Sequence, residues 1–168
     1  MAEAIFFYSV AAVAIICALL VITCKNPINS ALSLVMTFFC LAVFYVMLDA
    51  PFLAVVQVMI YAGAIMVLII FVIMLLNIQV ETGKRSAHGM VIGGIIGFVI
   101  LCETGYLLLS GAISANRGPM DRALIVRVGH TELIGKALFG DFLLPFEITS
   151  LLLLAAIIGA VVLSKKKV

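Results

Sequence analysis

Charge is what this chain of 168 residues has least of: Asp, Glu, Lys and Arg make up 11%, against about 25% in soluble domains. That deficit excludes a water-soluble globular domain. The 66% apolar residues, with a mean hydropathy of +1.39, come in blocks longer than the roughly 18 residues that mark a spanning helix. Strict apolar/polar alternation is also missing, which excludes a β-barrel and leaves helices as the way to satisfy a backbone in lipid. Histidine occurs only as His88 and His130, both between apolar runs, so a haem held by axial histidines inside the membrane has no ligands. The cysteines Cys17, Cys24, Cys40 and Cys102 show no C-x-x-C spacing. An iron–sulfur or zinc site therefore has no ligand set, and the thiols read as small hydrophobes. Gly89, Gly93, Gly94 and Gly97 make no nucleotide loop, because no strand precedes them and no P-loop lysine follows. Their spacing makes a smooth stripe for close helix packing instead. A formal net charge of +2 gives no reason to invoke nucleic acid. A chain with no redox ligands and no nucleotide site cannot run redox or phosphoryl chemistry alone.

What is present reads as an all-α integral membrane protein of five transmembrane helices, at about 4–24, 28–48, 52–76, 89–112 and 142–163, in one membrane domain over 1–168. Asn26-Pro27 offers an N-cap followed by proline at the first helical position, and Asp49-Ala50-Pro51 breaks the chain before the third span. Tight hairpins therefore join spans one to three. The linker from Asn77 to His88 is short and polar. The stretch at about 113–141 carries Arg117, Asp121, Arg122, Arg127, Glu132, Lys136 and Asp141 with Gly118-Pro119 and Gly129, and is the sizeable extramembrane piece. The leader Met-Ala-Glu has no basic residue, and the first apolar run exceeds the roughly 7–15 residues of a signal-peptide core, so the first span is expected to be a retained helix. Lys25, Lys84, Arg85 and Lys165 to Lys167 fall on one face, against Arg117, Arg122, Arg127 and Lys136 on the other. The positive-inside rule then puts the amino terminus in the periplasm and the carboxyl terminus in the cytoplasm, in a cell inner membrane.

Few polar groups lie at depth. Glu147, early in the fifth span, and Glu103, near the middle of the fourth, are costly as free carboxylates in lipid and are candidate proton-path residues. A shorter fifth helix would put Glu147 at the headgroups, and Glu103 would serve equally as a protonated carboxyl facing a neighbouring helix. Gln57 and Thr149 are weaker signals, able simply to bridge helices. The third span is unusual in another way. At about 1.5 Å per residue its twenty-five residues would reach roughly 38 Å, against a hydrocarbon core of about 30 Å. Tilt absorbs such an excess; so does a π-bulge, in which one extra residue is wound into a turn. Gly63 lowers the cost of that distortion and Tyr61 supplies a hydroxyl. Interconversion of α and π windings would make the Tyr61 side and the side with Met66, Phe71 and Met74 trade places against a neighbour, gating a wetted path. The bland reading of Gly63 is tight packing.

The segment VMIYAGAIMVLIIFVIMLLN resembles the third-helix signature of the J subunit of respiratory complex I, NADH dehydrogenase subunit 6 in mitochondria. TCKNPINSAL is similar to that family's turn between helices one and two, and LFGDFLLPFEITSLLLLAAIIG to its entry to helix five. The three segments agree in order and spacing, and the resemblance covers essentially the whole chain, although 113–141 and the fourth helix match poorly. It implies a membrane-arm subunit of proton-pumping NADH:quinone oxidoreductase, beside the A, H and K subunits and the antiporter-like pumps. This chain would bind no cofactor; NADH, FMN, iron–sulfur clusters and quinone would belong to other subunits. The resemblance further implies a π-bulge that converts to α-helix and controls a proton path. Carried over by position, Tyr61, Gly63, Met66 and Val67 form the hinge and Glu147 is the carboxylate of helix five. Gln57 stands where some relatives have glutamate. Glu103 receives nothing from the family. Two readings compete with a gate: a purely structural scaffold, and a subunit of a multisubunit cation/proton antiporter, which five helices without an internal repeat make poorly suited to a self-contained path.

Overall fold

A computed structural model describes residues 1–76, 87–110 and 122–165, with backbone alone at 87–90, 122, 123 and 126. Lys84, Arg85, Arg117, Lys166 and Lys167, counted above for orientation, and Gly118-Pro119 and Asp121 of the loop lie outside these residues. The helices are α1 (Ala2–Thr23), α2 (Pro27–Met47), α3 (Pro51–Leu76), α4 (Ala87–Leu109), α5 (Arg122–Val128), α6 (His130–Phe139) and α7 (Leu143–Ser164). Five of them, α1 to α4 and α7, are long and apolar enough to cross a membrane. Their ends fall within a few residues of the boundaries read from the sequence.

The punctuation acts as its chemistry requires. The Asn26 side chain accepts a hydrogen bond from the Ile28 N–H at 2.9 Å, and Pro27 takes the first helical position, where its missing N–H costs nothing. Asp49 adopts a left-handed φ of 57°, a conformation that short polar side chains tolerate, and Pro51 starts α3. The hairpins place α2 between α1 and α3. Ser30 on α2 donates to the Val21 carbonyl of α1, and Phe7 meets Phe44 with ring centroids 5.4 Å apart. The residues α2 buries, Ala31, Cys40 and Ala42, are small. In lipid, where apolar association gains little from expelling water, such residues hold helices together by letting backbones approach.

The loop between spans four and five is more structured than its composition suggests. Its helix α6 is amphipathic, with Leu133, Ile134 and Ala137 partly buried and the Glu132–Lys136 ion pair, 2.8 Å long, exposed. It packs on the first turns of α3, Pro51–Val56, and on α7, where Phe139 meets Phe146 at 5.1 Å. The second hairpin and this loop thus share one face of the molecule, as alternating spans require. Gly140 joins α6 to α7, and a Cβ there would sit 2.9 Å from the Lys136 carbonyl oxygen, too close for any other residue. Among the described residues α4 touches no other element, and α7 touches only α6. The stripe expected on α4 therefore meets no described helix of this chain: a Cβ added at Gly93, Gly94 or Gly97 finds nothing within 4 Å.

Candidate functional site

Helix α3 runs for 26 residues, and its middle third carries the local winding that the sequence suggested. From Gln57 to Ile65 the helix is a π-helix, nine residues long, and at its end the Met66 N–H bonds the Tyr61 carbonyl, five residues back. Ordinary α-helix surrounds it on both sides, Pro51–Val56 and Met66–Leu76. Long π runs are rare because each residue is wound less tightly than its backbone prefers, so a neighbour must hold them. Here the neighbour is α2, which packs along all three parts of α3.

The buried positions of α3 record the winding. They are Ala54, Gln57, Ala62 and Met66, so the step from Gln57 to the next is five residues. An α-helix repeats every 3.6 residues, each turning it by about 100°. With Pro51–Gln57 held in place, rewinding the segment as α would put Tyr61 above Gln57 and carry Met66 to the far side. Met66 is now 1% exposed and Tyr61 46%, so the seam covers the first and leaves much of the second open. Phe71 and Met74 are exposed and do not share the Met66 face. Val67, next to Met66, is 61% exposed. Tyr61 meets Phe38 of α2 edge to face, with ring centroids 5.9 Å apart, at the margin of the seam. Gly63 has the clearest local role: a Cβ on it would stand 3.2 Å from the Val58 carbonyl oxygen, the acceptor five residues back. A side chain at 63 therefore presses on the π turn itself.

Other candidates lie apart from this segment. Glu147 and Glu103 are both exposed, on α7 and α4, neither of which contacts α3. Thr149 donates to the Pro145 carbonyl at 2.8 Å, a bond within its own helix. Among the described residues no three His, Cys, Asp or Glu come together as a metal site. The burial of Gln57 and a cavity at His130 were not read from the sequence. Gln57, rated a weak signal, is the buried polar residue among those described. His130 lines a cavity of about 250 Å³ with Ile125, Leu133, Ile134 and Ala137, and its Nδ1 is buried without a hydrogen-bond partner. The i, i+4 apolar pattern of α6 was the signal for that second site. Along the half of the α2–α3 seam next to Pro51 runs an apolar groove of about 490 Å³ lined by Phe39, Ala42, Val46, Ala54, Val58 and Met59.

The π segment thus offers the Tyr61 hydroxyl and the Gln57 amide, while the carboxylates of α1–α3, Glu3 and Asp49, lie at helix ends. Such groups donate and accept hydrogen bonds. Comparison with known proteins agrees over nearly the whole chain. Residues 17–163 match the family model described as NADH-ubiquinone/plastoquinone oxidoreductase chain 6. The chain is 35% identical over 162 residues to NADH-quinone oxidoreductase subunit J of Rhodobacter capsulatus, covering 94% of this chain and 79% of that one. It is 39% identical over 153 residues to the chloroplastic NAD(P)H-quinone oxidoreductase subunit 6 of Mesostigma viride, covering 91% and 79%. With NADH-ubiquinone oxidoreductase chain 6 of Prototheca wickerhamii it shares 33% over 178 residues, covering 96% and 86%.

Proposed function

The chain belongs to the NADH-ubiquinone/plastoquinone oxidoreductase chain 6 family, subunit J of NADH-quinone oxidoreductase, and on that premise we propose that its third helix gates a proton-carrying water path in complex I. Quinone reduction takes place on other subunits, and its energy arrives here as conformational and electrostatic change. The helix answers by exchanging π for α winding between Gln57 and Met66, with Tyr61, Gly63, Met66 and Val67 as the moving hinge. The observation that carries this reading is the five-residue step between Gln57 and Ala62 on the buried face. One change of register there exchanges a small aliphatic surface for a phenol. Moving such an equilibrium from mostly closed to mostly open takes about 5.5 kcal/mol of differential bias, within reach of a few rearranged buried polar groups at about 1–3 kcal/mol each.

The same reading makes the chain one membrane domain that binds no cofactor, leaving NADH, FMN, iron–sulfur clusters and quinone to its partners. Those partners are the A, H and K subunits and the antiporter-like subunits. It lies in a cell inner membrane with its amino terminus in the periplasm and its carboxyl terminus in the cytoplasm. Glu147 and Glu103 serve as buried carboxylates once those partners cover α7 and α4.

The test is Gly63→Val or Gly63→Leu in the assembled complex. Coupled quinone reduction and pumping fall, while electron entry from NADH to an artificial acceptor is kept. Equal loss of both activities, or loss of neither, counts against the gate. A scaffold role is favoured by a separate observation, the apolar surface of α4, which meets no other element among the described residues. In that role both Gly63 variants would assemble and turn over normally.

A further inference from the structure

We propose that the elbow between α5 and α6 binds a membrane phospholipid at its ester region, with an acyl chain in the cavity and an ester carbonyl on His130. Gly129, with a φ of 98°, turns the chain at this elbow. The cavity of about 250 Å³ opens between Ile125 on one arm and Leu133, Ile134 and Ala137 on the other. All four apolar residues are only half-buried, so the two arms do not cover one another. An apolar cavity of about 150 Å³ takes up benzene, and the elbow therefore has room for the first methylenes of an acyl chain.

His130 sets what that apolar body must carry. Its Nδ1 is buried without a hydrogen-bond partner, whereas its Nε2 is not buried in this way and makes no hydrogen bond to a described residue either. A neutral imidazole holds one proton. A buried N–H with nothing to donate to is rarer than an acceptor left bare, so the proton belongs on Nε2. The site thus presents one donor beside apolar walls. A hydroxyl or amide from another subunit would bring a further donor that these walls leave unpaired; an ester carbonyl brings only an acceptor. Position agrees with this chemistry. Helix α6 packs on the first turns of α3 and on α7, and the ends of spanning helices lie at the depth where the hydrocarbon core gives way to headgroups. Arg127, in the last turn of α5, is exposed and in no ion pair with a described residue, which leaves a cation for the lipid phosphate. Nothing in the site depends on the winding of α3, so it stands or falls apart from the gate.

Photolabelling of the complete complex tests this. The complex is placed in vesicles of phosphatidylcholine and phosphatidylglycerol, with a trace of phosphatidylglycerol that carries a photoreactive group near the ester end of one acyl chain. After trypsin digestion, the peptide of residues 128–136 carries label in the parent. Ala137→Phe, which fills the cavity, and His130→Phe, which removes the donor, lower that labelling several-fold relative to the total label on the complex. His130→Gln, which keeps a side-chain N–H, retains most of it. An unlabelled peptide in the parent overturns the proposal, and so does labelling that all three variants share with the parent, the mark of bulk lipid alone. Equal loss in His130→Gln and His130→Phe overturns the ester contact. A density map of the complex with a protein side chain from another subunit at Nε2 overturns the site outright. Should Ala137→Phe not assemble, the comparison of His130→Phe with His130→Gln decides, because His130 has no hydrogen bond within the chain to lose.

Discussion

At the residue scale, Gly63 is where the winding is most open to experiment. Alanine is favoured over glycine by about 1 kcal/mol in an α-helix, and its Cβ would press on the Val58 carbonyl in the π turn, 3.2 Å away. Both effects push toward α, so Gly63→Ala is expected to raise the α-wound population and lower coupled turnover less than Gly63→Val does. The assay compares NADH:quinone with NADH:artificial-acceptor activity in the same membranes. Met66 provides the complementary case. It is 1% exposed, and truncation to alanine in a lipid-embedded seam leaves mainly the cavity contribution, on the order of 1–2 kcal/mol. Met66→Ala should therefore lower the thermal stability of the complex modestly and weaken the π register that buries it. A variant as stable as the parent, with unchanged turnover, would show that this contact does not hold the winding. Glu132→Ala, by contrast, breaks only an exposed i, i+4 pair, worth about 0.3–0.5 kcal/mol, and should change neither property measurably.

At the element scale, the five spans and their hairpins were legible because the signals are local. Asn26-Pro27 caps and starts a helix by its own chemistry, and Asp49-Ala50-Pro51 ends one. The π segment was legible as an excess of length joined to a glycine and a tyrosine, but its extent was not, since the length of a π run depends on the contact with α2. The burial of Gln57 was unreadable for the same reason: it follows from a register that only the packed pair defines. Helices α5 and α6 were missed because charge and Gly-Pro suggested a loop, while the apolar face of α6 needed α3 and α7 to give it a partner. Because α6 rests on the first turns of α3, it bears on the winding from the loop between spans four and five. Leu133→Asp, which charges a partly buried position on that face, is expected to undock it and expose α5–α6 to limited proteolysis. A cleavage pattern identical to that of the parent would rule out that docking.

At the scale of the whole molecule, the chain is incomplete in its packing. Its first three helices form a unit, whereas among the described residues α4 and most of α7 present apolar side chains to their surroundings. Lipid alone accommodates such surfaces, but it does not accommodate exposed Glu103 and Glu147 as free carboxylates. On the proposed function, partner subunits of the complex cover both. In mild detergent the chain should therefore co-migrate with the flavin and iron–sulfur proteins, and isolation as a discrete homo-oligomer would favour a transporter instead. Glu147→Gln should lower the number of protons moved per NADH while leaving assembly intact; unchanged stoichiometry would return that residue to a structural role. The central claim is decided by the backbone hydrogen-bond register of residues 57–66 in the intact complex, imaged at rest and during turnover. The account predicts the Met66 N–H on the Tyr61 carbonyl in one state and on the Ala62 carbonyl in another, with Tyr61 swung onto the seam. The same register in every state, with Met66 buried throughout, would contradict it.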